Sequence, residues 1–491
     1  MEKNVLIVGA GMGGLTLALR LAKAGYRVRI LEKNRQPGGR INQLKTDGFT
    51  FDTGPSFFSM SYIFKEFAQD CNIRLPFSYY ELDPLYSVSF QDNPDTFLLY
   101  KDISKLAQEF DGIEQDFEKK MHLYLEKSKT LFDDTIDIVI KNNFDSLVDY
   151  MMKLSKVNAG HLPVLLRSFY NHVSRYFSSD EARQIISLVA FFLGRSPFET
   201  SAVYSLLSYT EFQHDGYYNV EGGMYSIVEG IVNELKKENV SIIYETEIVD
   251  FVSDENRLSC LVDNHHQKWE ADIYAINADA ALFRGKVFKR KKFSEKKLAR
   301  MEWTMGSLTI YLGLKCKLPG VFHHNYYLGT NYRDYANEVF KNPDALQKPY
   351  YYVNVLSKHN NDCAPDGCES LFFVCPVPDL RFKPDWSDKE KIVDNIIADF
   401  STQIRRDIRP EIISKTIYTP LDWQNKFNLF KGSGLGLSHK MSQIGGFRPK
   451  NYDEHFRNVF YVGASTIPGT GLPMVVISSK LAFQRISQLY K

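Results

Sequence analysis

Val5-Leu6-Ile7-Val8-Gly9-Ala10-Gly11-Met12-Gly13-Gly14 is the stretch on which the fold turns. Its first four residues form an unbroken apolar run of the kind buried on both faces of a parallel sheet, and the run ends in GxGxxG. Residues Leu15 to Ala24 then read as a helix closed by Gly25, and Val28 to Leu31 as a second strand ending at Glu32. The unit is β-α-β. In such a unit Gly9 permits the tight turn, Gly11 lets a pyrophosphate approach the backbone, and Gly14 lets helix and strand pack closely. Ala10, Met12 and Gly13 lie in the same turn, and the helix N-terminus faces the phosphates. Glu32, some twenty residues beyond the glycines and followed by Lys33, is placed to accept hydrogen bonds from ribose hydroxyls, and its charge argues against a 2′-phosphate.

The chain of 491 residues is too long for one compact core, so two or three units sharing interfaces are expected. Lys and Arg number 60 against 59 Asp and Glu, a balance that gives no general surface for nucleic acid. The 35 Phe and 29 Tyr suit either a large apolar core or an apolar substrate tunnel, and composition leaves both open. Six scattered cysteines show neither zinc spacing nor a disulfide framework, so no metal site is expected and a reducing cytoplasm fits best. The longest apolar run, Ile185 to Leu193, falls short of the ~20 residues that span a bilayer, so any membrane contact is peripheral.

The carboxyl end repeats the opening logic. Val459 to Val462 is an apolar strand, followed by Gly463-Ala464-Ser465-Thr466-Ile467-Pro468-Gly469-Thr470-Gly471-Leu472-Pro473 and an apolar helix from Met474 to Ile486. Backbone N–H groups at the start of that helix are expected to meet a second part of the same ligand. After the second strand come Pro37-Gly38-Gly39-Arg40 and Asp47-Gly48-Phe49-Thr50-Phe51-Asp52-Thr53-Gly54-Pro55. With these segments the chain resembles the amine-oxidase-type flavoproteins and, within them, the phytoene and dehydrosqualene (diapophytoene) desaturases. The resemblance implies FAD as cofactor, with Gly39, Arg40 and the Gly54-Pro55-Ser56 loop against its phosphate and ring portions. It places Gly463, Gly469, Thr470, Gly471, Leu472, Pro473 and Met474 beside the ribityl chain and isoalloxazine. Ile467 stands where such sequences usually have His.

Further segments carry the resemblance through the middle. Glu221-Gly222-Gly223-Met224, a helix from Tyr225 to Lys237 and a strand from Ser241 to Tyr244 lead to Ile248, which in the family covers the adenine. Ala271 to Asp279 matches the strand by which these chains leave the nucleotide unit, and Gly194-Arg195-Ser196-Pro197, Ala364-Pro365-Asp366-Gly367 and Arg448-Pro449 look like the family's middle and late loops. The implied fold is α/β: a discontinuous Rossmann-like FAD-binding domain of the amine-oxidase type, an α+β substrate domain and a helical membrane-associated part. Its expected boundaries are residues 1–60, 215–285 and 430–491 for FAD, 61–214 for the helical region and 286–429 for the substrate sheet.

Leu162, Leu165, Leu166, Phe169, Tyr170, Val173, Tyr176 and Phe177 recur at helical spacing, which predicts one amphipathic helix over 162–177. Taken alone such a stripe is more often packed on a core; the resemblance favours a surface that enters a membrane and opens a tunnel. The basic run Lys286 to Arg300 suits anionic headgroups or a solvated connector equally, and His214-Asp215 reads as a structural pair. No catalytic acid or base stands out. The function implied is an FAD-dependent carotenoid desaturase acting on a lipid-soluble isoprenoid such as phytoene or dehydrosqualene. A related flavoprotein isomerising, saturating or oxygenating a later carotenoid, and a nonenzymatic flavin-binding membrane scaffold, stay open beside it, as does the oligomeric state.

Overall fold

The fold is taken from a computed structural model, which describes residues 3–347 and 350–490. Asn4–Val8 sits at the centre of a five-stranded parallel sheet, in the order Val459–Tyr461, Ile273–Ile276, Asn4–Val8, Arg27–Leu31, Ser241–Ile243. Its neighbours are in register on both edges, with Val8 opposite Ile276 and Leu31, and its two faces are buried in different cores, Val5 and Ile7 in one and Leu6 and Val8 in the other, so an uninterrupted apolar run is what the position requires. Strands from three distant parts of the sequence thus build one sheet. Its crevice opens at the C-terminal ends of the strands, where doubly wound folds bind ligands. The Met12–Lys23 helix begins inside the glycine motif and packs between the last helix, Leu472–Leu489, and Tyr225–Lys237.

A seven-stranded mixed sheet faces this unit: Ile412–Tyr418, Gly306–Leu314, Glu369–Val377, Tyr351–Val355, His324–Leu328, Tyr86–Phe90 and Thr96–Leu99. Its last two strands come from the stretch expected to be helical, 61–214, so that region is mixed. Tyr86–Phe90 pairs in parallel with His324–Leu328, which stitches two segments more than 200 residues apart into one wall. Asp47 (φ 51°) and Gly48 (φ 81°) make the tight turn of a hairpin pairing Gln43–Thr46 with Phe49–Asp52, which delivers the chain to Gly54.

The continuous helix expected over 162–177 is absent. Short helices Leu162–Leu165 and Phe169–Val173 are separated at Ser168, which is extended (ψ 154°) and caps the second through Asn171 N. The break splits the apolar stripe: Leu162 and Leu166 are exposed, whereas Phe169, Val173 and Phe177 are buried in the core. Periodicity saw one face where there are two. His214 and Asp215 are structural, as expected: Asp215 accepts from Ser61 N and Oγ (2.8 and 2.7 Å), and the His214 ring packs on Tyr62, Phe132 and Tyr209. No helix among the described residues is long and apolar enough to cross a membrane.

Candidate active site

One cavity of about 760 Å³ runs from the glycine-rich turns into the space between the two sheets. It is lined by Gly9, Gly11, Met12, Gly13, Glu32, Lys33, Gly39, Arg40, Gly54, Pro55, Ser56, Ile248, Gly463, Thr470, Gly471, Leu472, Pro473 and Met474. The structure therefore brings these sequence-predicted residues together around one space. Ala10, Gly14 and Gly469 stand behind this lining and shape its walls, Gly14 through the close helix–strand packing expected of it. Ala10 is fully buried and its N–H donates to Glu32 Oε2 (2.7 Å). A Cβ on Gly14 would lie 2.3 Å from the Gly9 carbonyl oxygen, and one on Gly469 would lie 2.5 Å from His439 Nε2, so both are small because protein presses on them.

At the phosphate end the Met12–Lys23 helix starts at Gly11 with no side-chain cap, leaving backbone N–H groups for an anion. Asn277 braces this end: its Nδ2 donates to the Gly9 carbonyl (3.2 Å), and its Oδ1 lies where a Cβ on Gly13 or Gly463 would come, at 2.6 and 2.9 Å. One side chain thus holds the N-terminal and C-terminal glycine turns against each other. Glu32 accepts Ala10 N on one oxygen and Asn34 N (2.9 Å) on the other, which fixes the carboxylate at the strand end; burial pushes its pKa up and the two N–H groups oppose that. Lys33 lines the cavity, but its ammonium donates to Asn425 O and Asn428 Oδ1 (3.0 and 3.1 Å), so it ties the wall to a later loop. Arg40 Nη1 donates to the Leu435 carbonyl (2.9 Å), and burial lowers the guanidinium pKa against the pull of Asp279.

These features fit a flavin dinucleotide: uncapped helix N–H groups for a pyrophosphate, a carboxylate at ribose distance along the motif, and turns where Cβ atoms would fill the approach. Beyond them Ser56 Oγ contacts Tyr352 OH (2.8 Å), which contacts His324 Nδ1 (2.6 Å), so the Gly54-Pro55-Ser56 loop is anchored to the second sheet. Asp52, at the hairpin's end, accepts Met224 N (2.9 Å); burial pushes its carboxyl up to about 7.

Sequence reasoning missed several residues here. His439 Nε2 accepts the Thr470 N–H (3.2 Å), and burial, with Arg448 nearby, pushes its pKa down to about 3, so the ring is neutral and serves as an acceptor behind the turn that carries Ile467. Ile467 itself is 3% exposed and joins the core of the nucleotide unit. Arg448, recognised only as part of a loop, ties that turn to the 437–443 loop by donating to the carbonyls of Ala464 and Thr466 on one side and of Leu437, Ser438 and Gln443 on the other. A lone His in a polar loop carries no pattern that reveals its partner.

Away from the glycines the cavity wall becomes apolar, with Ile140, Phe144, Leu154, Leu165, Leu188 and Leu206 among its lining. Close along the chain to the lining residues Phe144, Leu154 and Leu165, the side chains of Val148 (68% exposed), Met151, Met152, Leu162 and Leu166 (83%) are exposed. The helix Leu147–Leu154, which sequence reading did not single out, carries Val148, Met151 and Met152.

The family described as flavin containing amine oxidoreductase matches residues 12–487. The chain is 31% identical to a zeta-carotene-forming phytoene desaturase of Myxococcus xanthus, over 99% of this chain and 94% of that protein. It is 28% identical to a 4,4'-diapophytoene desaturase (4,4'-diapolycopene-forming) of a Methylomonas species, over 100% and 96%. Among solved structures, a putrescine oxidase triple mutant with redesigned cofactor binding superposes with a TM-score of 0.65 at 14% identity, covering 99% of this chain and 98% of that one, a likeness of fold.

Proposed function

The chain belongs to the flavin containing amine oxidoreductase family and, within it, to the carotenoid desaturases, and from that premise we propose that it introduces double bonds into an isoprenoid polyene precursor such as phytoene or dehydrosqualene. The observation that carries this reading is the continuity of one cavity, polar and glycine-walled at one end and apolar at the other. FAD is the cofactor, and when bound it supplies the hydride acceptor. Residues 1–60, 215–285 and 430–491 make up its binding unit in this proposal. Glu32 holds the ribose end, the Gly9–Gly14 turn the pyrophosphate, and the 54–56 and 463–474 turns the ring. The remaining walls keep the reacting carbons against the ring and exclude water, which favours hydride transfer over side reactions.

The test is the pigment profile, by absorbance and mass, of cells that make only colourless phytoene or dehydrosqualene, with and without this chain. Products lighter by two or more hydrogens and coloured yellow to red are expected. Unchanged mass, two hydrogens gained or added oxygen would move the assignment to isomerase, saturase or oxygenase.

A polyene of this kind resides in a bilayer, and the exposed patch at 147–166 is where the proposal seats the protein on the membrane, peripherally, with the apolar branch opening toward the lipid. Placing each large apolar side chain in lipid contributes about 1.5–3 kcal/mol. The double variant Val148→Asp, Leu166→Asp should therefore bind phosphatidylcholine vesicles at least about tenfold more weakly in cosedimentation while keeping its FAD. Equal vesicle binding by the variant would remove the patch from the membrane-facing surface.

A further inference from the structure

Glu211 is 4% exposed and belongs to a single turn of π-helix, Thr210–His214, a local irregularity often found at functional sites. It lines the same cavity as the proposed flavin loop, and its Oε1 has no hydrogen-bond partner. The titratable groups that face it from neighbouring elements are the phenols of Tyr86, Tyr124, Tyr217 and Tyr326; among the described residues no cation stands against it. A carboxyl buried without a cation is costly, so the fold keeps it at the expense of stability. Its position is close to the chemistry: the Tyr217 ring lies 4.7 Å from the Phe57 ring, and Phe57 directly follows Ser56 of the 54–56 loop. Glu211, Ser56 and Phe57 line the same cavity, so a substrate lying along it passes the carboxyl.

We propose that Glu211 is a catalytic residue, the carboxylate that takes the proton lost by the substrate; this deepens the desaturase reading and rests on it. Glu211 takes the proton from the carbon next to the one that has lost hydride to the oxidised flavin, the C–H electron pair left behind becomes the new C=C bond, and the carboxylate ends as the neutral acid. The cation formed by hydride loss is the positive partner the carboxyl lacks in the protein itself. Burial pushes this group up to about 8, with the Tyr86 and Tyr217 hydroxyls favouring the anion and so opposing the rise. The anion that accepts the proton therefore grows as pH rises toward 8, and turnover climbs with it.

Wild-type, Glu211→Gln and Glu211→Asp holoenzymes of equal FAD content are titrated at pH 8 with N,N-dimethylgeranylgeranylamine, a cationic isoprenoid, and with uncharged phytane, and assayed for desaturation. The expected result is an amine affinity at least tenfold weaker in Glu211→Gln with phytane binding unchanged, turnover down about 100-fold, and partial recovery of both in Glu211→Asp. Equal loss for amine and hydrocarbon, unchanged amine binding, or turnover within about twofold of wild type would overturn the inference. A wild type that desaturates no polyene overturns the desaturase reading instead, so the two failures are distinguishable. Where Glu211→Gln does not fold, Tyr217→Phe removes a group that favours the anion and shifts the rising limb of the pH–rate profile to higher pH; an unmoved limb overturns the proposal.

Discussion

Gly54→Ala is expected to purify colourless, without bound FAD, and to make no pigment in cells. A Cβ at this position would lie 1.9 Å from the Arg40 carbonyl oxygen and 2.9 Å from its carbonyl carbon. Overpacking that side chains can absorb costs about 1–3 kcal/mol, but here the neighbour is backbone, so the two segments have to separate. Those segments carry Arg40 and the Gly54-Pro55-Ser56 loop, both on the cavity wall, and the Ser56–Tyr352–His324 contacts transmit the displacement to the second sheet. Gly320, where a Cβ would meet nothing within 4 Å, is the matched control: Gly320→Ala keeps the flavin and the product. The ratio of flavin to protein absorbance measures the effect, and a Gly54→Ala protein carrying FAD at the wild-type ratio would refute the assignment of this loop to the ring site.

Arg448→Met is the second large effect, and it acts through folding. Arg448 is 2% exposed; its Nε donates to Thr466 O (3.0 Å), Nη1 to Ser438 O and Gln443 O (3.2 and 3.1 Å), and Nη2 to Leu437 O and Ala464 O (3.1 and 2.7 Å). Burial lowers the guanidinium to about 10, so it stays charged at neutral pH and its hydrogen bonds are of the stronger, charge-assisted kind. Methionine fills similar space yet leaves five buried carbonyls with a partner removed, at about 1–3 kcal/mol for each that finds no replacement. A loss of at least about 3 kcal/mol in urea denaturation is therefore expected, with release of FAD because Ala464 and Thr466 belong to the turn that the proposed function sets against the ring. Arg448→Lys keeps the charge but not the planar fork, and falls between. A midpoint unchanged in Arg448→Met would show that the five contacts contribute little.

The elements that local pattern determines were legible from the sequence. An apolar run between two buried neighbours, glycines at positions where backbone meets backbone, and an acidic residue closing the second strand recur wherever a β-α-β unit holds a dinucleotide, because each follows from the constraint at its own position. The sequence pattern grouped Gly9, Gly11, Glu32 and Gly463, and the resemblance added Gly54 and Met474; all six line one cavity. Tertiary structure alone decided the rest. The stripe over 162–177 has one period in sequence, but Ser168 turns the chain and sends its halves to solvent and to core, a choice made by what packs beyond it. Helical spacing says which residues share a face only while the helix continues.

Asn277, His439 and Glu211 illustrate the same limit at the site. Each is a single polar residue with no companion at a telling spacing, and each acquires its role from partners far along the chain: Asn277 from Gly9 and Gly463, His439 from Thr470, Glu211 from Tyr86 and from the cavity. A backbone motif is written in consecutive residues because neighbouring N–H groups make it. A buried side chain's protonation, its missing partner and the space before it are set by atoms from other strands, and only folding brings those atoms together.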